Sequence, residues 1–219
     1  MKITVTDYLD VVSSWCFWSE PTWAELKRRY EDRVRFQWKI ALMDPIGLPT
    51  SREQEQWFYR RSGMMNRSPF MLNTDWYDAS LKEWLAPNAI AEAAKDFGVT
   101  DDRVRLAISH ATLREGKQVK EWDVCAEIAG VAGKIDKNKL LEAAKSPAVE
   151  KRLRDSTAEF HAMQITQRPT FVVDTEIGDR AIFSGVVKLE PIAATIESML
   201  DDAAFYATYK AHFGDPPAK

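Results

Sequence analysis

The chain has 219 residues, of which 45% are hydrophobic and 29% are charged, proportions typical of a globular protein with a sizeable core. The net charge of −3 argues against the basic surface that nucleic-acid binding requires. No apolar run approaches the ~20 residues of a membrane span, and the first residues suggest a strand without the apolar segment of a signal peptide, so we expect a cytoplasmic protein. Two cysteines, Cys16 and Cys125, are too few for a secreted disulfide scaffold, and without a Cys/His cluster of zinc spacing we expect no metal.

The first predicted unit is a strand, a tight turn and a helix. Residues 3–9 are rich in strand-forming side chains, the run breaks at the turn, and apolar residues recur at helical spacing between residues 23 and 30. Ser13 would then lie where the first helical N–H groups are unpaired and partly positive, which favours a thiolate or another anion. An ordinary N-cap serine is the alternative. The predicted active-site turn consists of Ser13, Ser14, Trp15 and Cys16.

A second strand and a long helical region follow. Residues 34–42 alternate apolar and polar side chains, and the prolines and glycine of residues 43–49 end the strand. Thr50 and Glu53 form a capping-box pair for the next helix. Up to about residue 164 the apolar spacing is that of amphipathic helices, except for a loop near residues 62–78.

Strand signals return at residues 170–174 and 181–184, and a closing helix after Pro191 extends to about Leu200. The sequence therefore predicts a β-α-β unit, a helical bundle and a β-β-α unit, in that order. Arg168-Pro169 stands at the start of the third strand, where a proline is compatible with the ladder. A trans-proline edge strand with no site is the alternative to a functional turn.

These motifs together resemble a thioredoxin-fold superfamily that includes DsbA, the FrnE-like oxidoreductases, the kappa-class glutathione transferases and the 2-hydroxychromene-2-carboxylate isomerases. The resemblance rests on residues 2–43 and 165–200. It implies an α/β thioredoxin fold with a large all-helical insertion. The expected domains are a thioredoxin-like domain of residues 1–49 and 165–219 and a helical insertion of residues 50–164.

The resemblance also implies roles for the turn. Redox relatives carry Cys-Pro-Trp-Cys, so Ser13 takes the place of the nucleophilic cysteine and only Cys16 keeps a thiol. Kappa-class transferases and the isomerases also have a serine first, where its hydroxyl holds the thiolate of glutathione. They usually follow it with proline, and Ser14 departs from that pattern.

In the resembled fold the proline equivalent to Pro169 is cis and exposes backbone groups that dock a peptide or glutathione. Arg168 is expected to face Ser13 and steady a thiolate or a carboxylate, with a solvated surface arginine as the alternative. Ser184 and Gly185 match the Ser-Gly after the last strand of DsbA-like proteins. The Ser-Asp or Asn-Asp of glutathione-using relatives is missing there.

The leading hypothesis is an enzyme that binds glutathione or a similar small thiol and activates it with Ser13. The enzyme would transfer the thiol to an apolar substrate or isomerise that substrate, and a homodimer is among the expected partners. The alternatives are a monothiol oxidoreductase that uses Cys16 and a non-catalytic peptide-binding module. Cys125 is expected in the core. An aromatic and methionine-rich group is expected to form either a lid over the substrate or interior packing; it comprises Met64, Met65, Phe70, Met71 and Trp76.

Overall fold

The computed structural model describes residues 3–185, 188–215 and 217. Its strands are β1 (Ile3–Leu9), β2 (Val34–Ile40), β3 (Thr170–Thr175) and β4 (Arg180–Ser184). They form one sheet of order β2-β1-β3-β4. β1 and β2 are parallel, whereas β3 is antiparallel to both β1 and β4. This topology is the one that β-α-β followed by β-β-α produces.

Eight helices accompany the sheet in these residues. α1 (Ser14–Tyr30) connects β1 to β2, and α8 (Leu189–Phe213) follows β4. The other six lie between β2 and β3: α2 (Arg52–Met65), α3 (Leu85–Ala93), α4 (Arg103–Leu113), α5 (Trp122–Gly133), α6 (Lys137–Ala144) and α7 (Pro147–Ala162). The predicted thioredoxin fold with an all-helical insertion is confirmed.

The start of α2 differs from the predicted capping box. Ser51 is the N-cap residue, and its hydroxyl accepts from the Gln54 N–H at 3.2 Å. The Thr50 hydroxyl instead donates to the Gln54 side-chain oxygen at 3.1 Å. The Thr50–Glu53 pairing is therefore wrong by one residue, because adjacent hydroxyl residues compete for the cap and the local sequence does not choose between them.

Two hydrophobic clusters position the turn of residues 13–16. The first joins one face of the sheet to α1 and α8 and includes Ile3, Val5, Trp23, Leu26, Phe171, Val173, Ile192 and Ile196. The second joins the end of β1 to the insertion and includes Leu9, Val12, Cys16, Trp76, Ile90 and Ile108. The insertion therefore packs directly against the turn that follows β1.

α8 is longer than predicted. The sequence predicts a helix to about Leu200, but α8 continues to Phe213. Its last buried residue is Ala203, and the aromatic side chains beyond it are exposed. None of the helices in the described ranges has both the length and the apolar composition of a membrane span.

Candidate functional site

The turn after β1 is held by a buried carboxylate. Asp10 is 1% exposed, and its two oxygens accept the N–H groups of Val12 and Met43, each at 3.0 Å. The Asn88 side chain from α3 accepts the Val11 N–H at 3.0 Å. Burial raises the pKa of Asp10, and these hydrogen bonds oppose the rise. One side chain thus joins the turn to the segment after β2.

Ser13 is the N-cap residue of α1. Its hydroxyl accepts from the Cys16 N–H at 3.4 Å, and the residue is 7% exposed. Within the described chain, the N–H groups of Ser14 and Trp15 have no hydrogen-bond acceptor. They are two of the orphan donors of a helix start, and an anion at this end would satisfy them.

Cys16 is enclosed in the first turn of α1. It is 4% exposed, and its pKa is raised above the ordinary value, first by burial and then by the nearby charge of Asp7. A hydrogen bond with the Ser13 side chain lowers the pKa without reversing the rise. At neutral pH the Cys16 sulfur is therefore protonated, whereas a nucleophile or a disulfide-exchanging group must be a thiolate.

Asp7 is a buried acid that was not predicted as a site residue. This carboxyl lies in the middle of β1 and is 1% exposed, and neither oxygen has a hydrogen-bond partner in the described structure. Burial raises its pKa well above the ordinary value, while the charge of Arg105 lowers it. A signal was present in the sequence, because Asp7 is the one charged residue of β1, whose other residues are apolar side chains, threonines and a tyrosine.

The second anchor is the start of β3. The Arg168–Pro169 peptide bond is cis, which confirms the prediction, and the trans alternative is wrong. The Pro169 carbonyl accepts from the Gly185 N–H at 2.8 Å. The Arg168 backbone N–H and C=O have no partner in the described residues, so both remain available to an extended ligand.

The Arg168 side chain is neither solvated nor free. It is 8% exposed and donates to the carbonyls of Ala41 and Leu42, just after β2. Its guanidinium also lies 4.4 Å from the ring centre of Phe160. The expected surface alternative is therefore wrong. The carbonyls at the exit of β2 lack strand partners and are satisfied by this side chain.

The turn of residues 13–16 and the loop before Pro169 share a cleft of about 480 Å³. Ser13, Ser14 and Trp15 line one side, and Gln167 and Arg168 line another. The remaining lining residues are Val12, Met43, Asp44, Ile46, Gly47, Leu48, Pro49, Glu55, Phe58, Arg61, Trp76, Tyr77 and Thr166.

Two predicted binding residues lie behind this cleft. The Ser184 hydroxyl is 3.5 Å from the Gln167 carbonyl, and Gly185 adopts a positive φ of 69°. Both support the loop before Pro169 and do not line the cleft within the described structure. The segment in which the sequence shows no Ser-Asp continues into Val186 and Val187, which lie outside the described residues.

The predicted lid is not formed by the methionines. Met64, Met65 and Met71 are 80%, 68% and 53% exposed and lie outside the cleft wall as described, so both alternatives, lid and interior packing, are wrong for them. Phe70 packs against a neighbouring tryptophan ring. Trp76 is 1% exposed and is the one member of the group that lines the cleft.

Glu55 of α2 was also missed. It is 7% exposed and lines the cleft, and burial raises its pKa to about 7 while a hydrogen bond with Tyr59 lowers it. The Tyr59 oxygen accepts from the Trp76 Nε1–H at 3.1 Å. A buried carboxyl with a raised pKa in a cleft is a typical functional group.

The second cysteine lies away from the cleft, in the core of the insertion. Cys125 is fully buried in the insertion, as expected, and burial raises its pKa. In the residues described, no group of three or more His, Cys, Asp and Glu side chains is arranged to hold a metal ion.

Solved structures similar to this chain are DsbA-like proteins. A candidate protein disulfide isomerase from Nitrosomonas europaea has a TM-score of 0.76 at 15% identity, covering 92% of this chain and 99% of that one. The cytosolic disulfide reductase DsbM from Pseudomonas aeruginosa has a TM-score of 0.71 at 17% identity, covering 90% and 98%, and it has also been solved with GSH. DsbA from the same organism has a TM-score of 0.59 at 18% identity, covering 94% and 86%.

At these identities the structural likeness shows the fold. No curated protein matches the sequence. The profile of the DSBA-like thioredoxin domain matches residues 4–197, which is most of the chain. Together with the sheet topology, the cis proline and the turn at the start of α1, this match shows that the chain belongs to the family of DSBA-like thioredoxin domains.

Proposed function

We propose that this protein binds glutathione or a similar small thiol and activates it for transfer to, or isomerisation of, an apolar substrate. Ser13 and the start of α1 hold the thiolate, and the Arg168–Pro169 backbone docks the rest of the ligand. The observation that carries the proposal is the shared cleft, which Ser13 lines together with a backbone segment whose N–H and C=O groups have no partner among the described residues.

The chemistry of the turn suits a thiolate supplied from outside. A charge-assisted hydrogen bond contributes roughly 1.5–3 kcal/mol, and a helix N-terminus contributes about 0.3–1 kcal/mol. Together these interactions lower the pKa of a bound thiol by about one to two units from a free value of about 8.5. Much of the bound ligand is then nucleophilic thiolate at neutral pH.

The remainder of the cleft suits an apolar second substrate. Its volume of about 480 Å³ falls in the usual range of small-molecule sites. Ile46, Leu48, Phe58 and Trp76 contribute apolar lining, and Ile46 is 99% exposed at the 3-10 turn Pro45–Gly47. The P. aeruginosa reductase solved with GSH supports the choice of glutathione as the first thiol to test.

Exchange through Cys16 is the reading that family membership favours and that burial opposes. The sulfur is 4% exposed and its thiol form is stabilised, and Ser13 offers no sulfur for an intramolecular disulfide. Intact mass after incubation with oxidised glutathione separates the two functions. We expect no adduct at Cys16, and a stoichiometric adduct that disappears in Cys16→Ala would establish the monothiol function instead.

The proposal is tested with reduced glutathione and the variant Ser13→Ala. Calorimetry should show binding to the wild-type protein, and ultraviolet absorbance of the thiolate should show a bound pKa about one to two units below the free value. Ser13→Ala should bind about tenfold more weakly, with the pKa returning toward that of the free thiol.

Ser184→Ala is the matched control, because this serine supports the neighbouring loop without lining the cleft. It should bind glutathione as the wild type does. No heat at millimolar glutathione would refute the proposal and leave the non-catalytic peptide-binding function. That function predicts binding of an extended peptide along Arg168.

A further inference from the structure

Glu55 is an acid without a cation in the wall of the cleft. It is 7% exposed, and within the described chain the only side chain that acts on its titration is Tyr59, which is uncharged. An unpaired buried carboxylate is costly unless it is protonated or meets a cation. The ligand that fills the cleft can supply that cation.

Tyr59 and Trp76 fix this carboxyl in place. Tyr59 is 1% exposed, and its oxygen already accepts the Trp76 Nε1–H at 3.1 Å. The tyrosine O–H is therefore left to donate to Glu55. Two buried aromatic residues thus orient one carboxylate oxygen and leave the other for a ligand in the cleft.

The second carboxylate of the cleft differs in its charge environment. Asp44 lies 3.4 Å from the His161 Nε2 and 3.9 Å from an Arg168 guanidinium nitrogen, and its side chain is 47% exposed. Its charge is therefore compensated and hydrated. The Glu55 carboxylate has no cation beside it among the described residues, and most of its surface is shielded from water. A bound cation would therefore stabilise the charge of Glu55 more than that of Asp44.

We propose that Glu55 binds the cationic amine of the ligand whose thiol lies at Ser13, so that the cleft selects aminothiols over thiols without an amine. This inference rests on the proposed function and adds the class of thiol that the site accepts. A charge-assisted hydrogen bond between an ammonium group and a buried carboxylate is stronger than one between neutral groups.

The charged groups around Glu55 allow a clear pH response. Tyr59 and Tyr77 have pKa values raised by burial and stay neutral. The Arg61 guanidinium stacks 5.0 Å from the ring centre of Phe58, and the Arg168 guanidinium and the Asp44 carboxylate line the same cleft. Glu55 has a pKa of about 7, so its charge changes near neutral pH.

The test compares reduced glutathione with N-acetylglutathione, which has the same thiol but no cationic amine. By calorimetry at about pH 8, the wild type should bind glutathione about tenfold more tightly than the acetylated form. At about pH 6 the preference should shrink, because Glu55 is protonated and binding must displace its proton. Since both ligands carry the same thiol, the ratio of their affinities reports on the contact with Glu55 and not on the contact with Ser13.

Glu55→Gln keeps the shape and removes the charge, and it should bind both ligands within about twofold of each other. Glu53→Gln, on the same helix but exposed, should keep the wild-type preference. An equal preference in Glu55→Gln and wild type would overturn the inference. So would a wild-type protein that does not discriminate between the two ligands, a result that does not depend on any variant folding.

S-methylglutathione, which has the amine but no free thiol, separates this inference from the proposed function. If it binds in a Glu55-dependent manner while Ser13→Ala has no effect on glutathione, the thiol-activating function is wrong and amine recognition stands. Failure of all three compounds to bind the wild type at millimolar concentration overturns the amine site. Glutathione binding that depends on Ser13 but not on Glu55 leaves the proposed function intact and removes only this inference.

Discussion

At the scale of single residues, Asp7 and Glu55 are both held in surroundings that favour the uncharged carboxyl. Asp7 is 1% exposed in a strand and has no hydrogen-bond partner in the described structure. The desolvation of an ionised carboxyl at Asp7 costs free energy that the nearby charge of Arg105 only partly offsets. Both acids therefore reduce the stability of the fold at neutral pH.

Asp7→Asn should raise the free energy of unfolding at about pH 7 by about 1–3 kcal/mol. Below the unfolded-state pKa of about 3.9 both states are protonated and the variant gains nothing. As the pH rises above this value, the Asp7 carboxyl ionises in the unfolded chain but not in the folded protein. The loss of wild-type stability therefore grows with pH until the raised pKa of the folded state is reached, and it is constant above that pKa. Urea denaturation at several pH values measures the difference.

Asp174→Asn is the control for this prediction. Asp174 lies on the neighbouring strand β3, where its carboxylate accepts from Arg180 at 2.6 Å with a partly exposed side chain. Loss of such a surface pair should change the free energy of unfolding by less than about 1 kcal/mol. A destabilised Asp7→Asn at about pH 7 would show that the Asp7 charge is compensated.

At the scale of elements, α1 and α4 are joined by a buried ionic network. Arg105 of α4 has a side chain 2% exposed and donates to both oxygens of Glu20 in α1 and to Asp102 at 2.9 Å. Asp102 also accepts from the Trp23 Nε1–H at 3.1 Å and from Lys27 at 2.9 Å. This network attaches the insertion to the helix that carries the active-site turn.

Arg105→Met should lower the free energy of unfolding by about 3–5 kcal/mol. It leaves the largely buried Glu20 without its cation and leaves Asp102 with Lys27 alone. Arg103→Met is the matched control on the same helix: Arg103 pairs with Asp101, and both side chains are about half exposed. Its effect should stay below about 1 kcal/mol. Equal losses in the two variants would mean that the network does not join the helices, and chemical denaturation gives both values.

At the scale of the whole molecule, the two thiols report on global opening. Cys16 and Cys125 are 4% and 0% exposed, both are free, and burial raises both pKa values. One lies at the end of the thioredoxin-like sheet and the other inside the insertion, within one hydrophobic cluster. Reaction at either site therefore requires that this shared core opens.

A thiol reagent added to the native protein at neutral pH should modify neither cysteine on the timescale of minutes, since the thiolate is both rare and enclosed. In denaturant both cysteines should react. Rapid native modification of Cys16 alone, located by peptide mass analysis and absent in Cys16→Ala, would contradict the enclosed turn and favour thiol–disulfide exchange. In Cys125→Ala only Cys16 remains, so any modification of that variant reports on Cys16.

Much of the fold was predictable because its signals are local. Period-two strands, glycine and proline breaks and helical apolar spacing lie within short windows, and they give the topology without long-range information. The length of α8 was not predicted, although Phe205, Tyr209 and Phe213 continue the helical spacing beyond Leu200. These side chains are exposed, so packing against the core does not set where the helix ends. In the site, Asp7 was predictable in principle, because it is the one charged residue of a strand-forming stretch.

By itself the sequence determined the strand-turn-helix that carries Ser13, the proline at the start of β3 and the helical insertion, because each depends on neighbouring residues. Only the tertiary structure decided which side chains share the cleft. Glu53 and Glu55 belong to the same charged stretch, yet one is exposed and the other buried, and Arg168 is buried by carbonyls 126 and 127 residues away in sequence. Such burial is set by the packing of segments distant in sequence, and no local pattern encodes it.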